Sequence, residues 1–313
     1  PEFTGIQGWV NSSPLTIAGL RGSVVLVDFW TFSCVNCTRT FPHIHALVDT
    51  YGHAGLVVVG VHSPEFDFEK DPANVRAAVQ RLGVTWPVAL DPDMETWGAW
   101  GNQYWPAEYL VDRQGRVAYA NFGEGAYDET AAAVASLVGT SATPSAMPSS
   151  VAAQAPTAGT TPELYAGSEA ATQHGDPGLG DGEQYGAPGT VVDYPASAAP
   201  AKQRDHIELG GPWTDRAQYV VSGGAGHIRL RFHARDVYVV AGSDGGSPVT
   251  LTVALDGAPV PAAQAGAALG PAGASFSVGP DDLYNVLRQV GGGDHVIDIA
   301  VPQGLRLYTF TFG

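Results

Sequence analysis

The stretch from Val24 to Cys37 reads Val24-Val-Leu-Val-Asp28-Phe-Trp-Thr-Phe-Ser-Cys34-Val-Asn-Cys37, and it decides the fold of the first half of the chain. Its apolar run, Val24 to Val27, predicts a strand that is buried on both faces, as in a parallel sheet. After the Cys-x-x-Cys motif, apolar residues recur at helical spacing from Phe41 to Tyr51, and Gly52 supplies a stop. Both cysteines are therefore expected where a strand leads into the N-terminus of a helix.

This position favours redox chemistry at the cysteine pair. Free backbone N–H groups and the helix dipole stabilise negative charge at a helix N-terminus. We expect Cys34 to be the more exposed thiol, with a depressed pKa, and to attack disulfides as a thiolate. Cys37 lies one helical turn further on and can resolve the mixed disulfide. The strand–helix context favours this interpretation over a structural disulfide or two unrelated thiols.

Asp28 lies inside the predicted buried strand, six residues before Cys34. Burial would raise the pKa of its carboxyl group, which suits a proton acceptor for Cys37 during resolution. The alternative is a solvated aspartate at the end of the strand.

The spacing from Asp28 to the cysteines resembles the active-site stretch of thioredoxin-fold proteins. A second part of that signature is Tyr104-Trp-Pro-Ala-Glu-Tyr-Leu-Val-Asp112. In that superfamily a cis proline opens a strand, faces the cysteines and contacts the substrate chain. By resemblance Pro106 is that proline, and a cis Trp105–Pro106 bond is reasonable because cis is cheap only before proline. The resemblance assigns substrate contacts to Val35, Asn36, Trp105 and Pro106.

Three segments, Ser33–Thr40, Gly60–Phe66 and Tyr104–Ala107, resemble the soluble portion of DipZ-type proteins. These proteins fuse a CcdA-like membrane domain to a TlpA-like redoxin and a β-sandwich. The resemblance implies an extracytoplasmic thiol–disulfide oxidoreductase on the periplasm side or in the cell envelope, of the kind linked to cytochrome c biogenesis. It also implies protein disulfide substrates, a CcdA-like membrane electron donor, and a redox-active Cys34–Cys37 disulfide in place of a metal or organic cofactor.

The chain departs from its relatives at two polar positions. Thioredoxins often place a lysine near the buried aspartate, whereas Gly60 occupies the equivalent position here. TlpA-like proteins often carry a glutamate three residues after the second cysteine, where this chain has Thr40. Glu108, two residues after Pro106, could serve as a proton relay instead, or it could be a surface glutamate.

Length and charge limit the remaining possibilities. A chain of 313 residues suits two domains. A net charge of −16 argues against a nucleic-acid partner, since there is no basic stripe to neutralise phosphates. No apolar run approaches the ~18 residues of a membrane span. The chain opens on Pro rather than Met, so we expect a cut-out portion of a longer protein, with Pro1-Glu2-Phe3 a candidate cloning remnant.

The pattern predicts an α/β thioredoxin-like domain with a TlpA-type insertion at residues 1–139 and a linker rich in Ser, Ala, Thr and Pro at 140–161. The insertion is a helix beginning at Asp71-Pro72 followed by a strand at Val88 to Leu90. From residue 162 to 313 the periodicity becomes alternating, as in Ile228 to Phe232. Gly/Pro turns separate such strands, which predicts an all-β sandwich, a jelly roll that resembles carbohydrate-binding modules.

Two other chemistries compete at the cysteines. Cys34, Cys37, His43 and His45 suggest a zinc site, but on a continuous helix His43 lies about 9 Å along the axis from Cys37, too far for one metal. Thr31-x-x-Cys34 has peroxiredoxin spacing, although Val27 stands where that motif has a proline. We therefore expect no metal and keep a peroxiredoxin-like peroxidase as an alternative.

The sandwich raises a third alternative, a module that binds or localises. Its aromatic residues between Tyr165 and Trp213 are expected on loops, where they could stack on the sugars of an envelope glycan. Trp213 is the main candidate, with Tyr165, Tyr185, Tyr194 and Tyr238 as others. A core or docking role is the competing interpretation, because fold does not fix function.

Overall fold

The structure is a computed structural model that describes residues 1–145, 159–176, 178–180, 184–195, 201, 203–270 and 273–313. The chain divides into two compact units, Pro1–Ala155 and Pro156–Gly313. Most of the predicted linker, residues 146–158, lies outside the described residues. The described start of that linker contacts the first unit, because the Tyr51 hydroxyl donates to the Ala142 carbonyl at 2.8 Å.

The first unit is built on a six-stranded sheet. Its strands are β1 (Gly8–Val10), β2 (Val24–Trp30), β3 (Leu56–His62), β4 (Val88–Leu90), β5 (Ala107–Val111) and β6 (Val117–Phe122). Its α-helices are α1 (Val35–Tyr51), α2 (Pro72–Arg81), α3 (Glu95–Ala99) and α4 (Tyr127–Val138). The strand order is β1-β4-β3-β2-β5-β6. β2, β3 and β4 are parallel, and β1, β5 and β6 run antiparallel to their neighbours.

β2 is an interior strand of this sheet, and all seven of its residues are buried. Its side chains alternate between two apolar cores. Leu26 and Trp30 pack in the core that includes Cys37 of α1, whereas Val27 and Phe29 pack in the core on the other face. This central position explains the unbroken apolar run in the sequence.

The predicted elements of this unit are present. The Asp71 carboxylate accepts a hydrogen bond from the Ala73 N–H at 2.8 Å, with Pro72 in the first turn of α2, as the capping pattern predicts. The Trp105–Pro106 bond is cis, as the resemblance implies. Near the start of the chain, Phe3 packs against Trp9 and Trp100.

The second unit is a β-sandwich with antiparallel strand pairing and one short helix among its described residues. The strands are β7 (Leu164–Tyr165), β8 (Val191–Tyr194), β9 (Ile207–Asp215), β10 (Val220–Ser222), β11 (Gly226–Phe232), β12 (Val237–Ser243), β13 (Val249–Leu255), β14 (Ala258–Pro259), β15 (Ser275–Val278), β16 (Asp282–Leu287), β17 (His295–Val301) and β18 (Leu305–Phe312). The helix is α5 (Ser168–His174). The alternating pattern from Ile228 to Phe232 in the sequence predicted β11.

β9 joins the two layers of the sandwich. Its first half pairs with β11, and its second half pairs with β8 and β10. The strand changes partners at Gly210-Gly211, where Gly211 has a φ of 84° and a side chain would lie 2.7 Å from the Ala225 carbonyl oxygen. Glycine is needed here because both the positive φ and the close approach of another strand exclude a Cβ.

Trp213 lies on β9 and not on a loop, so the expectation that a loop presents it to a glycan is wrong. Its side chain is 1% exposed, and its indole N–H donates to the Gly210 carbonyl at 3.0 Å. Tyr165 and Tyr194 are buried as well, while Tyr185 and Tyr238 are half-buried. The two layers need a large apolar residue near the corner of β9, and Trp213 fills that place in the core.

Candidate active site

The cysteine pair lies at the N-terminus of α1, as predicted. Cys34 is the N-cap residue, and its Sγ accepts a hydrogen bond from the Cys37 backbone N–H at 3.2 Å. Cys34 is half-buried, whereas Cys37 is fully buried. Both are present as thiols. The helix N-terminus therefore presents one accessible sulfur, with the second sulfur directly behind it.

Burial raises the pKa of the Cys37 thiol well above its usual value, and the hydrogen bond and charge of Cys34 add to the effect. The negative charge of Asp28 acts in the same direction. Cys37 therefore keeps its proton until a base removes it, which is the behaviour of a resolving cysteine.

Asp28 is fully buried, which excludes the solvated alternative. Within the part of the chain that the structure describes, neither carboxylate oxygen has a hydrogen-bond partner. Burial raises the pKa of Asp28 well above its usual value, and the charge of Glu108 raises it further. A buried carboxyl group with no donor to hold its charge readily takes up a proton.

Gly60 faces Asp28 across the parallel pair of β2 and β3. A side chain at Gly60 would begin 2.8 Å from Nε1 of Trp30 and 3.1 Å from Nε1 of Trp86. These two buried indole N–H groups also lack a hydrogen-bond partner among the described residues. Two indole rings thus occupy the place where thioredoxins often carry a lysine, so no ammonium group from this position neutralises Asp28.

Glu108 faces Asp28 on the other side, across the antiparallel pair of β2 and β5. It is 3% exposed, so the surface alternative for this residue is wrong. Burial raises the pKa of Glu108 to about 7, and a hydrogen bond that the Thr130 hydroxyl donates at 3.1 Å opposes the rise. At neutral pH Glu108 can therefore hold or release a proton.

A third buried acid, Glu69, holds the loop that precedes Cys34. Its Oε1 accepts hydrogen bonds from the Thr31 hydroxyl and from the N–H and hydroxyl of Ser33. Its Oε2 accepts from the N–H groups of Glu65 and Phe66. No local sequence pattern marks Glu69, because it is one of several acids in an irregular segment.

This network bears on the peroxidase alternative. The Thr31 hydroxyl donates to Glu69, and it also lies 3.3 Å from Nε2 of the buried His62. Burial lowers the pKa of His62 to about 3, so its ring is neutral at physiological pH. The Thr31 hydroxyl therefore donates its single proton to Glu69 and not to Cys34. This arrangement does not favour a peroxidase in which the hydroxyl would activate the cysteine.

The predicted substrate-binding residues differ in accessibility. Asn36 and Trp105 are half-buried, whereas Val35 and Pro106 are buried, with Val35 only 2% exposed. Burial of Val35 does not support a direct contact between its side chain and a substrate. The Trp105 indole N–H donates to the Ser63 carbonyl at 3.0 Å, which fixes the ring next to the cis bond.

Arg39 connects α1 to the loop between β6 and α4. It donates to the Asn36 side-chain carbonyl and forms a buried ion pair with Glu124 at 2.7 Å. Gly123, in the same loop, donates its N–H to the Pro106 carbonyl at 2.8 Å. The dipeptide between the cysteines and the cis proline are therefore tied to a common loop.

Within the described ranges, no group of three or more His, Cys, Asp or Glu side chains is arranged to bind a metal ion. None of the helices that the structure describes has the length and hydropathy needed to cross a lipid bilayer.

Comparison with known proteins gives two matching family models. The AhpC/TSA family matches residues 1–120, and the thioredoxin like C-terminal domain matches residues 161–313. The chain is 36% identical to the protein DipZ of Mycobacterium bovis over its whole length, and it spans 42% of that protein.

Two further relatives match part of the chain. The chloroplastic protein Suppressor of Quenching 1 of Arabidopsis thaliana is 40% identical over 40% of this chain and 12% of its own length. The thiol-disulfide oxidoreductase YkuV of Bacillus subtilis is 29% identical over 39% of this chain and 82% of its own length. The two family models and the similarity along the whole of this chain thus match it to DipZ-like thioredoxin-fold proteins.

Proposed function

We propose that the chain is an extracytoplasmic thiol–disulfide oxidoreductase that reduces disulfides in protein substrates. The observation that carries the proposal is the arrangement of its two thiols, with Cys34 half-buried at the N-cap of α1 and Cys37 buried behind it. Relatives that bear the name thiol-disulfide oxidoreductase support this assignment.

The reaction transfers two electrons from the dithiol to the substrate. The Cys34 thiolate attacks a substrate disulfide, whose S–S bond breaks, and the first substrate sulfur leaves and takes a proton. Cys37 then loses its proton and attacks Sγ of Cys34. This step forms the Cys34–Cys37 disulfide and releases the second substrate sulfur as a thiol.

Asp28 is the proton acceptor for Cys37 in this proposal. The raised pKa of Cys37 means that resolution needs a base, and Asp28 interacts electrostatically with the Cys37 thiol. Both Asp28 oxygens are available, since no protein donor within the described residues binds them. Glu108 is the second group of this proton relay.

The substrate chain is proposed to lie across Asn36, Trp105 and Pro106. In support, Pro106 directly precedes β5, which pairs with the strand that leads to the cysteines, and the Trp105–Pro106 bond is cis. A CcdA-like membrane partner is the proposed electron donor that regenerates the dithiol, by similarity to DipZ-type proteins. A cell-envelope location follows from the same similarity.

Alkylation and trapping test the order of the two cysteines. Iodoacetamide near neutral pH should modify Cys34 before Cys37, because only Cys34 combines exposure with the helix N-terminus. The Cys37→Ser variant should accumulate mixed disulfides through Cys34, and it should fail to reduce insulin catalytically. Faster modification of Cys37 in the reduced wild type, or insulin reduction by a Cys34→Ser variant, would contradict the proposal.

A further inference from the structure

The burial of Asp28 raises the question of how its proton leaves. Asp28 can take the proton of Cys37 only as a carboxylate, and its burial favours the protonated form, so a proton already on Asp28 must leave before resolution. Asp28 is 0% exposed, so it cannot exchange directly with bulk water in this structure. A neighbouring group has to take the proton from it.

The two sides of Asp28 differ in their capacity to do so. On the β3 side stand Gly60 and the indole N–H groups of Trp30 and Trp86. An indole nitrogen is a donor only and cannot accept a proton. On the β5 side stands Glu108, the direct cross-strand neighbour of Asp28. Directly opposed residues have Cβ atoms about 5 Å apart, so two carboxyl groups can exchange a proton directly or through one water.

Beyond Glu108 the hydrogen bonds continue toward the edge of the sheet. The Thr130 hydroxyl on α4 donates to Glu108 Oε2 at 3.1 Å, and it lies 3.2 Å from the hydroxyl of Tyr119. Thr130 is fully buried. Tyr119 is half-buried on β6, which is the last strand at this end of the sheet. Tyr119 is thus the first group in the series that is partly open to solvent.

We propose that Glu108, Thr130 and Tyr119 form a proton path that carries a proton from Asp28 to solvent at the β6 edge and so leaves Asp28 ready to accept the proton of Cys37. The inference rests on the proposed function, since it explains how Asp28 becomes the base that resolution of the mixed disulfide needs. It adds Thr130 and Tyr119 to the groups that take part in the reaction.

The transfers balance without another reactant. Asp28 passes its proton to the Glu108 carboxylate, and Asp28 becomes a carboxylate again. Glu108 then passes a proton to the Thr130 hydroxyl, which gives its own proton to the Tyr119 hydroxyl. Tyr119 in turn gives its proton to water. Because the pKa of Glu108 is about 7, both of its protonation states are populated during this relay at neutral pH.

Several other titratable groups among the described residues interact with the groups of this path. Tyr127 of α4 interacts electrostatically with Glu108, with Glu124 and with Arg39 of α1. Glu124 and Arg39 neutralise one another in their buried ion pair. Among the described residues, Cys37 also interacts electrostatically with Asp28. The Tyr127 hydroxyl points to Glu124 at 3.4 Å and not to Glu108, so it lies beside the path and not in it.

Ellman's reagent tests the proposal with the whole chain. The reduced protein releases one thionitrobenzoate when Cys34 attacks and a second when Cys37 resolves the mixed disulfide, so one trace reports both steps. Thr130→Val and Tyr119→Phe should leave the first rate unchanged and slow the second about tenfold at pH 7, since general acid–base groups act on the proton-transfer step only. The solvent isotope effect on the second step should rise.

Matched variants separate the path from a structural effect. Thr130→Ser keeps the hydroxyl and should restore the second rate. Thr96→Val and Tyr109→Phe remove hydroxyls that bond to the Thr4 carbonyl and to Asn102, outside the path, and should change neither rate. Wild-type second-step rates and isotope effects in both Thr130→Val and Tyr119→Phe would overturn the path. Absence of a second release in the wild type would overturn the proposed function itself. If Thr130→Val does not fold, Tyr119→Phe decides alone.

Discussion

Asp28 and Glu69, two of the three buried acids near the cysteine motif, differ in the hydrogen bonds that their carboxyl groups accept. Glu69 accepts hydrogen bonds on both carboxylate oxygens, from Thr31, Ser33, Glu65 and Phe66. Asp28 accepts none from any protein group among the described residues. Burial raises the pKa of both, but hydrogen bonds lower the pKa only at Glu69.

This difference in hydrogen bonding indicates different roles for the two acids. A carboxylate that binds five donors is held in one geometry, and it in turn fixes the backbone of the Cys34 loop. A carboxyl group without donors gains little from ionising, so its proton moves easily. We infer that Glu69 positions the loop and that Asp28 takes part in the reaction.

The largest effect is expected from Glu69→Ala. The substitution removes the carboxylate that accepts all five hydrogen bonds, so the free energy of unfolding should fall by about 3–5 kcal/mol. Urea unfolding followed by tryptophan fluorescence measures it, since six of the seven tryptophans lie in the first unit. The control is Asp67→Ala, which removes an exposed ion pair with Lys70 and should cost little. Equal losses in the two variants would contradict the role of Glu69.

The next effect is the pH dependence of stability that Glu108 causes. Its pKa rises from 4.5 to about 7 on folding, so the folded state binds more protons between those values. Stability contributed by a raised pKa is lost as pH rises through that window, and this rise corresponds to roughly 3 kcal/mol. The Glu108→Gln variant has no carboxyl group at this position, so it does not lose this stability as the pH rises. Its stability relative to the wild type should therefore increase by that amount from pH 4.5 to 8.

Comparing Glu108→Gln with the wild type cancels the contributions of other titratable groups to the pH dependence of stability. Burial lowers the pKa of His43 to about 4 and of His62 to about 3, so their contribution to stability rises with pH and has the opposite sign. Both histidines are present in the wild type and in Glu108→Gln. The exposed Glu129→Gln is the control for the change from a carboxyl group to an amide. A constant difference between Glu108→Gln and the wild type would show that Glu108 does not titrate in this range.

The smallest expected effect is kinetic. Asp28→Asn is nearly isosteric and removes a buried carboxyl group that has no donor, so the fold should be kept. Resolution of the mixed disulfide should slow by roughly 10- to 100-fold near pH 7, because Cys37 loses its base. The second thionitrobenzoate release measures it, with the exposed Asp49→Asn as control. If the resolution rate of Asp28→Asn equals that of the wild type at every pH, Asp28 takes no part in the mechanism. Its role would then be structural, like that of Glu69.

The sequence was sufficient where a local pattern carries the information. The apolar run before Cys34, the helical spacing after it and the cap at Asp71-Pro72 predicted β2, α1 and α2, because period and capping depend on neighbours in the chain. The alternation from Ile228 to Phe232 predicted β11 for the same reason. The resemblance at Trp105–Pro106 implied the cis bond that the structure contains.

The sequence misled where burial depends on distant partners. Trp213 and its neighbours lie in a Gly- and Pro-rich region that suggests loops, yet β9 carries Trp213 into the core. A glycine pair that bends a strand between two layers has the same composition as a turn. Only the pairing of β9 with β8, β10 and β11 shows that this segment is a bent strand and not a turn.

The sequence by itself determined that two thiols stand at a helix N-terminus, six residues after an aspartate in a buried strand. Only the tertiary structure decided which acids act together. Glu108 faces Asp28 through the register of β2 and β5, and Glu69 reaches Ser33 across 36 residues. The reason is physical: a shift of one residue in register would turn Glu108 to the other face of the sheet. That register is set by the packing of both cores, which no local stretch of sequence contains.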